Sequence, residues 1–301
     1  MTLILRFKRH IIQLLAALLY NLNLKGFATG SIYQGSLKGV CVPGFNCYSC
    51  PGAIGACPIG SLQATLVASG QRLPFYLVGT LLAFGALLGR TVCGWICPFG
   101  LIQDLLDKVP LPKIPKGSWS RALSWGKYLV LIALVIIAPL ILLSTTGVGT
   151  PAFCAWLCPV GTLEAGIPLL TANSGLRFMM GALFNWKMAV LIVIMLAMLF
   201  IYRPFCRFMC PLGALYSFFN RVALLRYRVD QAKCVGCGVC VSVCKADIKR
   251  VSDRECVQCG RCVASCDSHA IHFTGHDMLS ANSRSRTALP PAQGADDKET
   301  T

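Results

Sequence analysis

One cysteine pattern that occurs twice near the C-terminal end constrains the fold of this chain more than any other feature. The stretch CVGCGVCVSVC occupies residues 234–244, and CVQCGRC begins at residue 256 and is followed by Cys266. Both copies have the spacing Cys-x2-Cys-x2-Cys-x3-Cys. Eight thiols at such short spacing are typical of a metal or redox site, and a bound metal fixes the backbone around it.

The doubled pattern favours iron and sulfur over the other partners of cysteine. Each Cys-x2-Cys-x2-Cys segment can wrap three thiolates around one cubane cluster, and in chains with two clusters the last cysteine of each run ligates the other cluster. Zinc takes four ligands in two pairs, and disulfide domains lack long apolar segments, so these are the weaker alternatives. We predict two [4Fe-4S] clusters, held by Cys234, Cys237, Cys240 and Cys266 and by Cys256, Cys259, Cys262 and Cys244.

The residues around the two runs suit this arrangement. Gly236, Gly238 and Gly260 allow the tight backbone that cluster loops require. The segment DIKRVSD, residues 247–253, is predicted to form the short strand pair of an α+β two-cluster ferredoxin-like domain. Lys245 and Asp267 follow the fourth cysteines where a proline is usual, a difference that removes no ligand.

The rest of the chain is too apolar for an ordinary soluble domain. Of its 301 residues, 55% are hydrophobic and 13% are charged, and the mean hydropathy is +0.63. Four stretches approach the ~20 residues that cross a bilayer. We therefore predict an α-helical polytopic membrane protein whose four transmembrane helices lie at 11–24, 73–88, 128–144 and 188–202.

The basic residues are distributed unevenly around these four stretches. Segments 1–9, 90–127 and 203–301 together carry 23 Lys and Arg, whereas 25–72 and 177–187 carry five. Because basic loops stay in the cytoplasm, the count predicts that both termini are cytoplasmic. The net charge of +16 does not indicate nucleic acid, since the basic residues lie beside apolar segments and not on an aromatic-rich basic face.

Composition divides the chain into three parts. Residues 1–222 form the predicted four-helix membrane domain, and hydropathy falls where the cysteine runs approach. Residues 223–275 form the predicted two-cluster ferredoxin-like domain. Residues 276–301 are polar and contain prolines, so we predict a disordered tail.

The membrane domain carries a second cysteine system. Cys-Pro-x-Gly occurs four times, beginning at residues 57, 97, 158 and 210, and the last three copies follow a cysteine four residues earlier. The first copy lies in NCYSCPGAIGACPIG, where Cys47, Cys50 and Cys57 have looser spacing. Such self-similarity indicates duplication, and it predicts two helix pairs as parallel repeats about an axis along the membrane normal.

The repeats predict two groups of four thiols, one at each membrane face. Each group has enough soft ligands for an iron-sulfur cluster or for copper(I), which would make electron transfer across the membrane feasible. Two alternatives remain open, because outer thiols can form disulfides and Pro-x-Gly is ordinary turn chemistry at a helix end. The inner group is Cys93, Cys97, Cys206 and Cys210, and the outer group is Cys50, Cys57, Cys154 and Cys158.

Four predicted spans, Cys-x3-Cys-Pro motifs and a C-terminal two-cluster module together resemble the NapH and MauN type of membrane ferredoxin, over about residues 1–273. NosR and CcoG proteins share related motifs. The chain has three Cys-x3-Cys-Pro motifs where two are expected for NapH, and it lacks the large flavin domain of NosR. The resemblance implies a place in the bacterial cytoplasmic membrane, with the quinone pool and an extracytoplasmic electron acceptor protein as partners.

The resemblance also implies a function. The protein would link quinol or a cytoplasmic electron carrier to an extracytoplasmic reductase, as a quinol dehydrogenase component of a respiratory chain, although no residue is singled out as catalytic. The alternative is a CcoG-like protein that handles copper or assembles cofactors through its Cys-Pro thiols. In a third interpretation the membrane domain is an anchor, and only the two clusters are active.

Overall fold

The computed structural model describes residues 2–68, 75–178 and 180–274, and the chain is mainly helical in these ranges. The predicted tail at 276–301 lies outside the described residues. The first half of the chain places short helices around one long N-terminal helix. Its elements are α1 (Thr2–Tyr20), α2 (Lys25–Thr29), a 3-10 turn (Ser36–Gly39), α3 (Pro58–Ala68), α4 (Phe75–Leu88), α5 (Thr91–Trp95) and α6 (Pro98–Leu106).

The second half contains the longest helices, and two of them include wide π-helical turns. Pro139 and Pro168 each follow such a turn, because a proline lacks the N–H that would close the regular helical hydrogen bond. The elements are α7 (Ser118–Leu123), α8 (Gly126–Val130), a π turn (Leu131–Ile137), α9 (Ala138–Thr146), α10 (Ala152–Trp156), α11 (Pro159–Gly161), a π turn (Thr162–Gly166), α12 (Ile167–Ala172), α13 (Ser174–Phe178), α14 (Ala182–Phe200), α15 (Pro204–Phe208) and α16 (Pro211–Phe219).

Fewer helices than the four predicted are long and apolar enough to cross a membrane. Within the described residues there are two, the continuous helix Ser118–Thr146 with 29 residues and Ala182–Phe200 with 19. Phe75–Leu88 is apolar but has only 14 residues, and part of the stretch predicted at 73–88 lies outside the described residues. The N-terminal helix carries a buried Arg9, which pairs with Asp104 of α6 at 2.8 Å. Farther along α1, Leu15 and Leu19 are 53% and 60% exposed, so the apolar run predicted at 11–24 is not enclosed by the protein.

The C-terminal module is small and is closed by one pair of strands. Strands β1 (Tyr227–Val229) and β2 (Ile271–Phe273) are antiparallel, with Tyr227 opposite Phe273. The module also contains helix α17 (Val239–Ser242) and a 3-10 turn (Val263–Ser265). The strand pair thus brackets the two cysteine runs and does not lie between them at 247–253, as predicted. That segment is a turn instead, because the Asp253 carboxylate accepts a hydrogen bond from the Lys249 N–H at 3.1 Å.

One hydrophobic core joins the four Cys-Pro motifs. Phenylalanine rings form a contiguous row through it: the ring centroids of Phe153 and Phe45 are 6.2 Å apart, those of Phe45 and Phe205 5.7 Å, and those of Phe205 and Phe99 5.1 Å. Edge-to-face aromatic contacts of this kind are favourable and specify a geometry. Phe153 and Phe205 each precede a cysteine of the repeat, so the row fixes the motifs relative to one another.

Candidate metal centres

Each Cys-Pro-x-Gly motif begins a helix. Cys97, Cys158 and Cys210 share one conformation, with φ of −72°, −71° and −72° and ψ of 120°, 108° and 113°. The following proline occupies the first helical turn, where its missing N–H costs no hydrogen bond. The Gly213 N–H donates to Cys210 Sγ at 3.2 Å and the Gly161 N–H to Cys158 Sγ at 3.4 Å. The motif therefore places a thiol at the positive end of a helix.

The first buried group of thiols, named here the Cys93 set, combines two motifs of the repeat. Burial raises the pKa of Cys97, and the neighbouring thiols of Cys206 and Cys93 raise it further. Burial likewise raises the pKa of Cys210. The thiols of Cys206, Cys93 and Cys97 raise it further. The structure thus brings together the four cysteines that were predicted to meet. They are Cys93, Cys97, Cys206 and Cys210.

Two arginines connect the halves of the Cys93 set in a crossed pattern. Arg90, three residues before Cys93, donates to Cys206 O at 3.0 Å, and Arg203, three residues before Cys206, donates to Cys93 O at 2.7 Å. Both arginines are 0% exposed, and Asp104 holds Arg203 through two hydrogen bonds of 2.8 and 2.5 Å. Burial raises the pKa of Cys206, and the Arg203 and Arg90 guanidinium groups oppose that rise.

A polar residue stands six positions after the cysteine of every Cys-Pro-x-Gly motif. Gln103 Nε2 donates to Cys206 Sγ at 2.9 Å, and Gln63 Nε2 lies 3.5 Å from Cys154 Sγ. Both glutamines are fully buried, and each reaches a cysteine of a different motif. Hydrogen bonds to sulfur tune the redox potential of a cluster, so this position is suited to that role. The four residues are Gln63, Gln103, Glu164 and Tyr216.

The second buried group, named here the Cys57 set, lines a cavity of about 300 Å³. Burial raises the pKa of Cys57 to about 11 and that of Cys47 to about 12. Glu164 lies beside the set and accepts a hydrogen bond from the Cys47 N–H at 2.8 Å, while burial raises the pKa of Glu164 to about 7. Four soft ligands thus surround one partly enclosed space. They are Cys47, Cys57, Cys154 and Cys158.

Cys50 does not occupy the place that the sequence pattern predicted for it. Cys47 lines the cavity, whereas Cys50 is not among the described residues that line it. The Cys50 thiol lies 3.5 Å from Asn21 Oδ1, and Pro51 O accepts a hydrogen bond from the Asn23 side chain at 2.8 Å. This Cys-Pro pair therefore packs against the end of α1 and begins no helix.

The Cys93 and Cys57 sets share one hydrophobic core. Tyr216 is fully buried and donates to Pro43 O at 2.9 Å. Burial raises the pKa of Tyr216, and the thiols of Cys93, Cys97 and Cys57 raise it further, so the side chain lies beside both sets. The two sets lie close together because residues 41–57 fold back between the helices. A Cβ atom added to Gly44 in this segment would lie 3.3 Å from Cys97 Cα.

In the C-terminal module one cysteine group is assembled and partly buried, and it is named here the Cys256 set. Burial raises the pKa of Cys244 to about 12, and the thiols of Cys256 and Cys259 contribute to the rise. Burial raises the pKa of Cys262 as well. The same two thiols and the thiol of Cys244 raise it further. These are the four residues predicted for the second cluster: Cys244, Cys256, Cys259 and Cys262.

The loop of the Cys256 set sits directly on helix α5. A Cβ atom added to Gly94 would lie 2.2 Å from Val257 O, so only glycine allows this approach. Trp95 Nε1 donates to Gln258 O at 2.8 Å, and the Asn220 side chain donates to Cys256 O at 2.9 Å. Gly94 follows Cys93 directly in the chain, and Val257 follows Cys256. The two thiol sets therefore meet across a backbone contact.

A buried network of charges reinforces this docking. The Glu255 carboxylate accepts hydrogen bonds from Lys127 Nζ at 2.6 and 2.7 Å and pairs with Arg90 at 3.3 Å. Lys127 and Arg90 are both 0% exposed. Although burial opposes ionisation, Arg90 and Lys127 lower the pKa of Glu255. The Glu255 carboxylate thus neutralises the positive charges of Lys127 and Arg90, which the membrane domain buries.

The other group of the module, named here the Cys234 set, lies at the surface. Cys234 and Cys237 are exposed, and Cys240 and Cys266 are partly exposed. The neighbouring Val235 is 75% exposed. Gly236 and Gly238 both have a φ of +71°, which suits a tight turn. These are the four cysteines predicted for the first cluster, and the protein presents them to solvent.

The cysteine sets differ from a site for a single ion. Within the described ranges, no group of three or more His, Cys, Asp or Glu side chains lies close enough to share one metal ion. A [4Fe-4S] cluster makes another demand, because each of its irons takes its own thiolate. The Cys93, Cys57 and Cys256 sets each supply four neighbouring thiols, and backbone N–H groups donate to several of them. The residues present therefore fit such clusters.

Some residues of these centres had a sequence signal that was not used. Arg90 and Arg203 both stand three positions before the first cysteine of a motif, and a polar residue stands six positions after the cysteine of all four Cys-Pro-x-Gly motifs. Aligning the motifs would have revealed both. Cys47 and Gly94 have no such signal, because their roles depend on how the 41–57 loop and the C-terminal module pack.

Comparison with known families agrees with these centres. A model for a 4Fe-4S binding domain matches residues 73–117, 131–168 and 186–229, which contain the three Cys-x3-Cys-Pro motifs. A second 4Fe-4S binding domain model matches residues 227–250, which contain the first ferredoxin-like run. The prediction of iron-sulfur binding is confirmed at this level. No solved structure matches the chain.

Several curated proteins are similar over part of their length. An uncharacterized protein of Methanocaldococcus jannaschii is 30% identical over 58% of this chain and 57% of its own. The ferredoxin-type protein NapH of Haemophilus influenzae is 30% identical over 54% and 50%, and the methylamine utilization ferredoxin-type protein MauN of Methylorubrum extorquens is 26% identical over 63% and 55%. The chain thus spans little more than half the length of these relatives. These matches support a ferredoxin-like iron-sulfur protein that is similar to the NapH and MauN type.

Proposed function

We propose that this protein transfers electrons across a membrane, between quinol or a cytoplasmic carrier and an extracytoplasmic reductase partner. It would do so as a quinol dehydrogenase component of a respiratory chain. The single observation that carries the proposal is the contact between the Cys256 loop and the helix of Cys93, where Val257 O meets Gly94 without an intervening side chain. A membrane domain that served only as an anchor would not need such a close backbone contact with the module.

The arrangement of the thiol sets supports this role. Iron-sulfur clusters, when bound, accept and release single electrons. The protein holds the Cys234 set at its surface and the Cys256 set against the membrane domain. The Cys93 set lies beneath it, and Tyr216 leads from there to the Cys57 set. Because electron transfer weakens steeply with distance, a contiguous series of buried sets is what such a function requires.

The exposed apolar helices support a place in the membrane. In the apolar windows of Ser118–Thr146 and Ala182–Phe200, only 22% and 17% of the residues are buried inside the protein. Leu129 and Val193 are 69% and 64% exposed. Such surfaces need lipid around them. We propose a multi-pass protein of the bacterial cytoplasmic membrane with both termini in the cytoplasm, as the distribution of basic residues predicts.

The alternative function uses the same thiols for copper. A CcoG-like protein would bind copper(I) at the soft ligands of the Cys93 and Cys57 sets, or assemble a cofactor there. The first function is favoured because a 4Fe-4S binding domain model matches the segments that contain the three Cys-x3-Cys-Pro motifs. Metal analysis separates the two functions directly.

The test is iron and copper quantitation with an EPR-monitored redox titration of the purified full-length protein. Clusters in all four sets predict about 16 iron atoms per chain, and clusters in the C-terminal module alone predict about eight. Cys206→Ser should lose iron from the Cys93 set. The matched control is Cys41→Ser, because Cys41 is equally buried and belongs to none of the four sets.

Three results would contradict the proposal. About eight irons in the wild type would leave the membrane domain without clusters. Stoichiometric copper would favour the alternative function. Equal iron content in Cys206→Ser and Cys41→Ser would mean that the Cys93 set binds no cluster and has no part in the electron path.

A further inference from the structure

A groove on the C-terminal module, named here the arginine groove, concentrates positive charge. It has a volume of about 310 Å³ and lies between strand β1 and the turn that contains Arg250. No described residue that lines it is acidic. Two arginines come from the segment that joins α16 to β1, one lies in β1, and the fourth comes from the turn between the cysteine runs. They are Arg221, Arg226, Arg228 and Arg250.

The charges in this groove are poorly neutralised by the protein. Arg226 Nε is buried without a hydrogen-bond partner in the described structure. Burial and the nearby Arg228 guanidinium both lower the pKa of Arg226, so the two side chains repel each other. Arg221 pairs with Asp253 at 3.3 Å, but its side chain is 57% exposed, which makes the pair weak. An anion that accepts several hydrogen bonds would relieve this repulsion.

The surface beside the groove is apolar. Phe218 and Val222, on either side of Arg221, are 65% and 66% exposed, and Leu224 is 48% exposed. The Leu225 N–H donates to Leu87 O at 2.9 Å, which joins this segment to the end of α4, where Leu87 is 47% exposed. An exposed apolar band therefore runs from α4 into a cluster of arginines.

We propose that the arginine groove binds the phosphate of an anionic phospholipid whose acyl chains lie on the apolar band. The inference rests on the membrane location proposed above. A basic pocket at the end of membrane helices suits a lipid headgroup, because the phosphate meets guanidinium groups while the chains stay beside apolar side chains. Bound lipid would fix the module against the membrane at Arg221, beside its charged contacts with the membrane domain.

An acidic redox protein is a less suitable occupant. Such a partner, docked on the arginines, would also cover the exposed side chains of Phe218 and Val222. These side chains offer an acidic protein surface no complementary charge. A lipid uses both features of the site at once, whereas a protein partner or a free phosphate uses only the arginines.

The test measures binding of fluorescent short-chain phosphatidylglycerol to the detergent-solubilised full-length protein. Parallel titrations use the phosphatidylcholine analogue and inorganic phosphate. Because each basic residue near an anionic lipid surface contributes about 1 kcal/mol, the double variant Arg226→Gln/Arg228→Gln should bind phosphatidylglycerol about thirtyfold more weakly. Arg250→Gln, which changes only the turn, should weaken binding about fivefold. Lys25→Gln, an exposed basic residue of α2 outside the groove, is the control and should leave binding unchanged.

Several outcomes would overturn the inference. They are equal affinities in the wild type and both groove variants, equally tight binding of phosphatidylcholine, or displacement of the lipid by inorganic phosphate at equal concentration. Binding of a small acidic flavodoxin that is lost in the groove variants, with lipid binding intact, would assign the groove to a protein. Iron content of the same samples tests the proposed electron transfer separately, and solubility without detergent would contradict the membrane location itself.

Discussion

The two halves of the ferredoxin-like module have the same cysteine spacing but opposite surroundings. The Cys256 set is seated on α5, and its loop is held by the buried network of Glu255, Lys127 and Arg90. The Cys234 set has two exposed cysteines, and Val235 beside it is 75% exposed. Equal motifs have therefore acquired unequal roles, because only one of them packs against the membrane domain.

This difference suggests a division of labour. A surface that exchanges electrons with a diffusing partner has to be accessible, whereas a fixed internal contact benefits from burial and rigid charge pairing. The stability of the module should accordingly depend on the contacts of the Cys256 set far more than on those of the Cys234 set. Three substitutions examine that expectation, beginning with the largest effect.

Glu255→Gln should have the largest effect. It leaves Lys127 and Arg90 buried beside a neutral amide, and removing one partner of a buried ion pair costs about 3–5 kcal/mol. We expect the free energy of unfolding, measured by chemical denaturation in detergent, to fall by that amount. Asp247→Asn is the control, because its partner Arg121 is 42% exposed and such a pair contributes at most about 1 kcal/mol. Equal losses in the two variants would mean that the buried network does not dominate docking.

Gly94→Ala should have an intermediate effect. The added Cβ would lie 2.2 Å from Val257 O, and the backbone must move to admit it, at a cost of about 1–3 kcal/mol. We expect faster alkylation of Cys259 by iodoacetamide in the metal-free protein, because the Cys256 loop lifts from α5. Gly79→Ala, where an added Cβ meets nothing within 4 Å, is the matched control. Unchanged alkylation in Gly94→Ala would show that the close contact is not maintained in solution.

Lys116→Met should have the smallest effect. Lys116 Nζ donates to Val241 O at 2.9 Å and to Cys244 O at 2.8 Å, so an exposed lysine ties α17 to the membrane domain. Loss of such exposed contacts costs about 1 kcal/mol or less. Because Cys244 belongs to the Cys256 set and Val241 follows Cys240 of the Cys234 set, we expect iron at both sets to be lost to a chelator slightly sooner than in the wild type, and far less so than in Glu255→Gln. Lys108→Met serves as the control, and loss as fast as in Glu255→Gln would contradict the small weight given to this exposed contact.

Sequence patterns predicted the parts of this protein whose chemistry is local. Cys-x2-Cys-x2-Cys-x3-Cys spacing indicated the iron-sulfur module, and repetition of Cys-x3-Cys-Pro indicated that Cys93, Cys97, Cys206 and Cys210 would meet. Both follow from short-range geometry, because a cysteine that begins a helix next to a proline has little conformational choice.

The predictions that differed from the structure all depended on distant packing. Cys50 precedes a proline like the other cysteines, but its neighbour Pro51 binds the Asn23 side chain at the end of α1, and Cys47 faces the cavity instead. The segment 247–253 is a turn because Asp253 binds Lys249 N–H, while Tyr227 and Phe273 form the strand pair around the runs.

The sequence by itself determined the ligand types, their grouping into motifs and the apolar character of the chain, because these depend on residues close together along the backbone. Only the tertiary structure decided which motif became buried and which remained exposed. Glycine at position 94 admits the Val257 carbonyl, and Glu255 meets two cations that lie more than a hundred residues away in the chain. Contacts of that range are set by the packing of whole elements, and spacing within a motif carries no information about them.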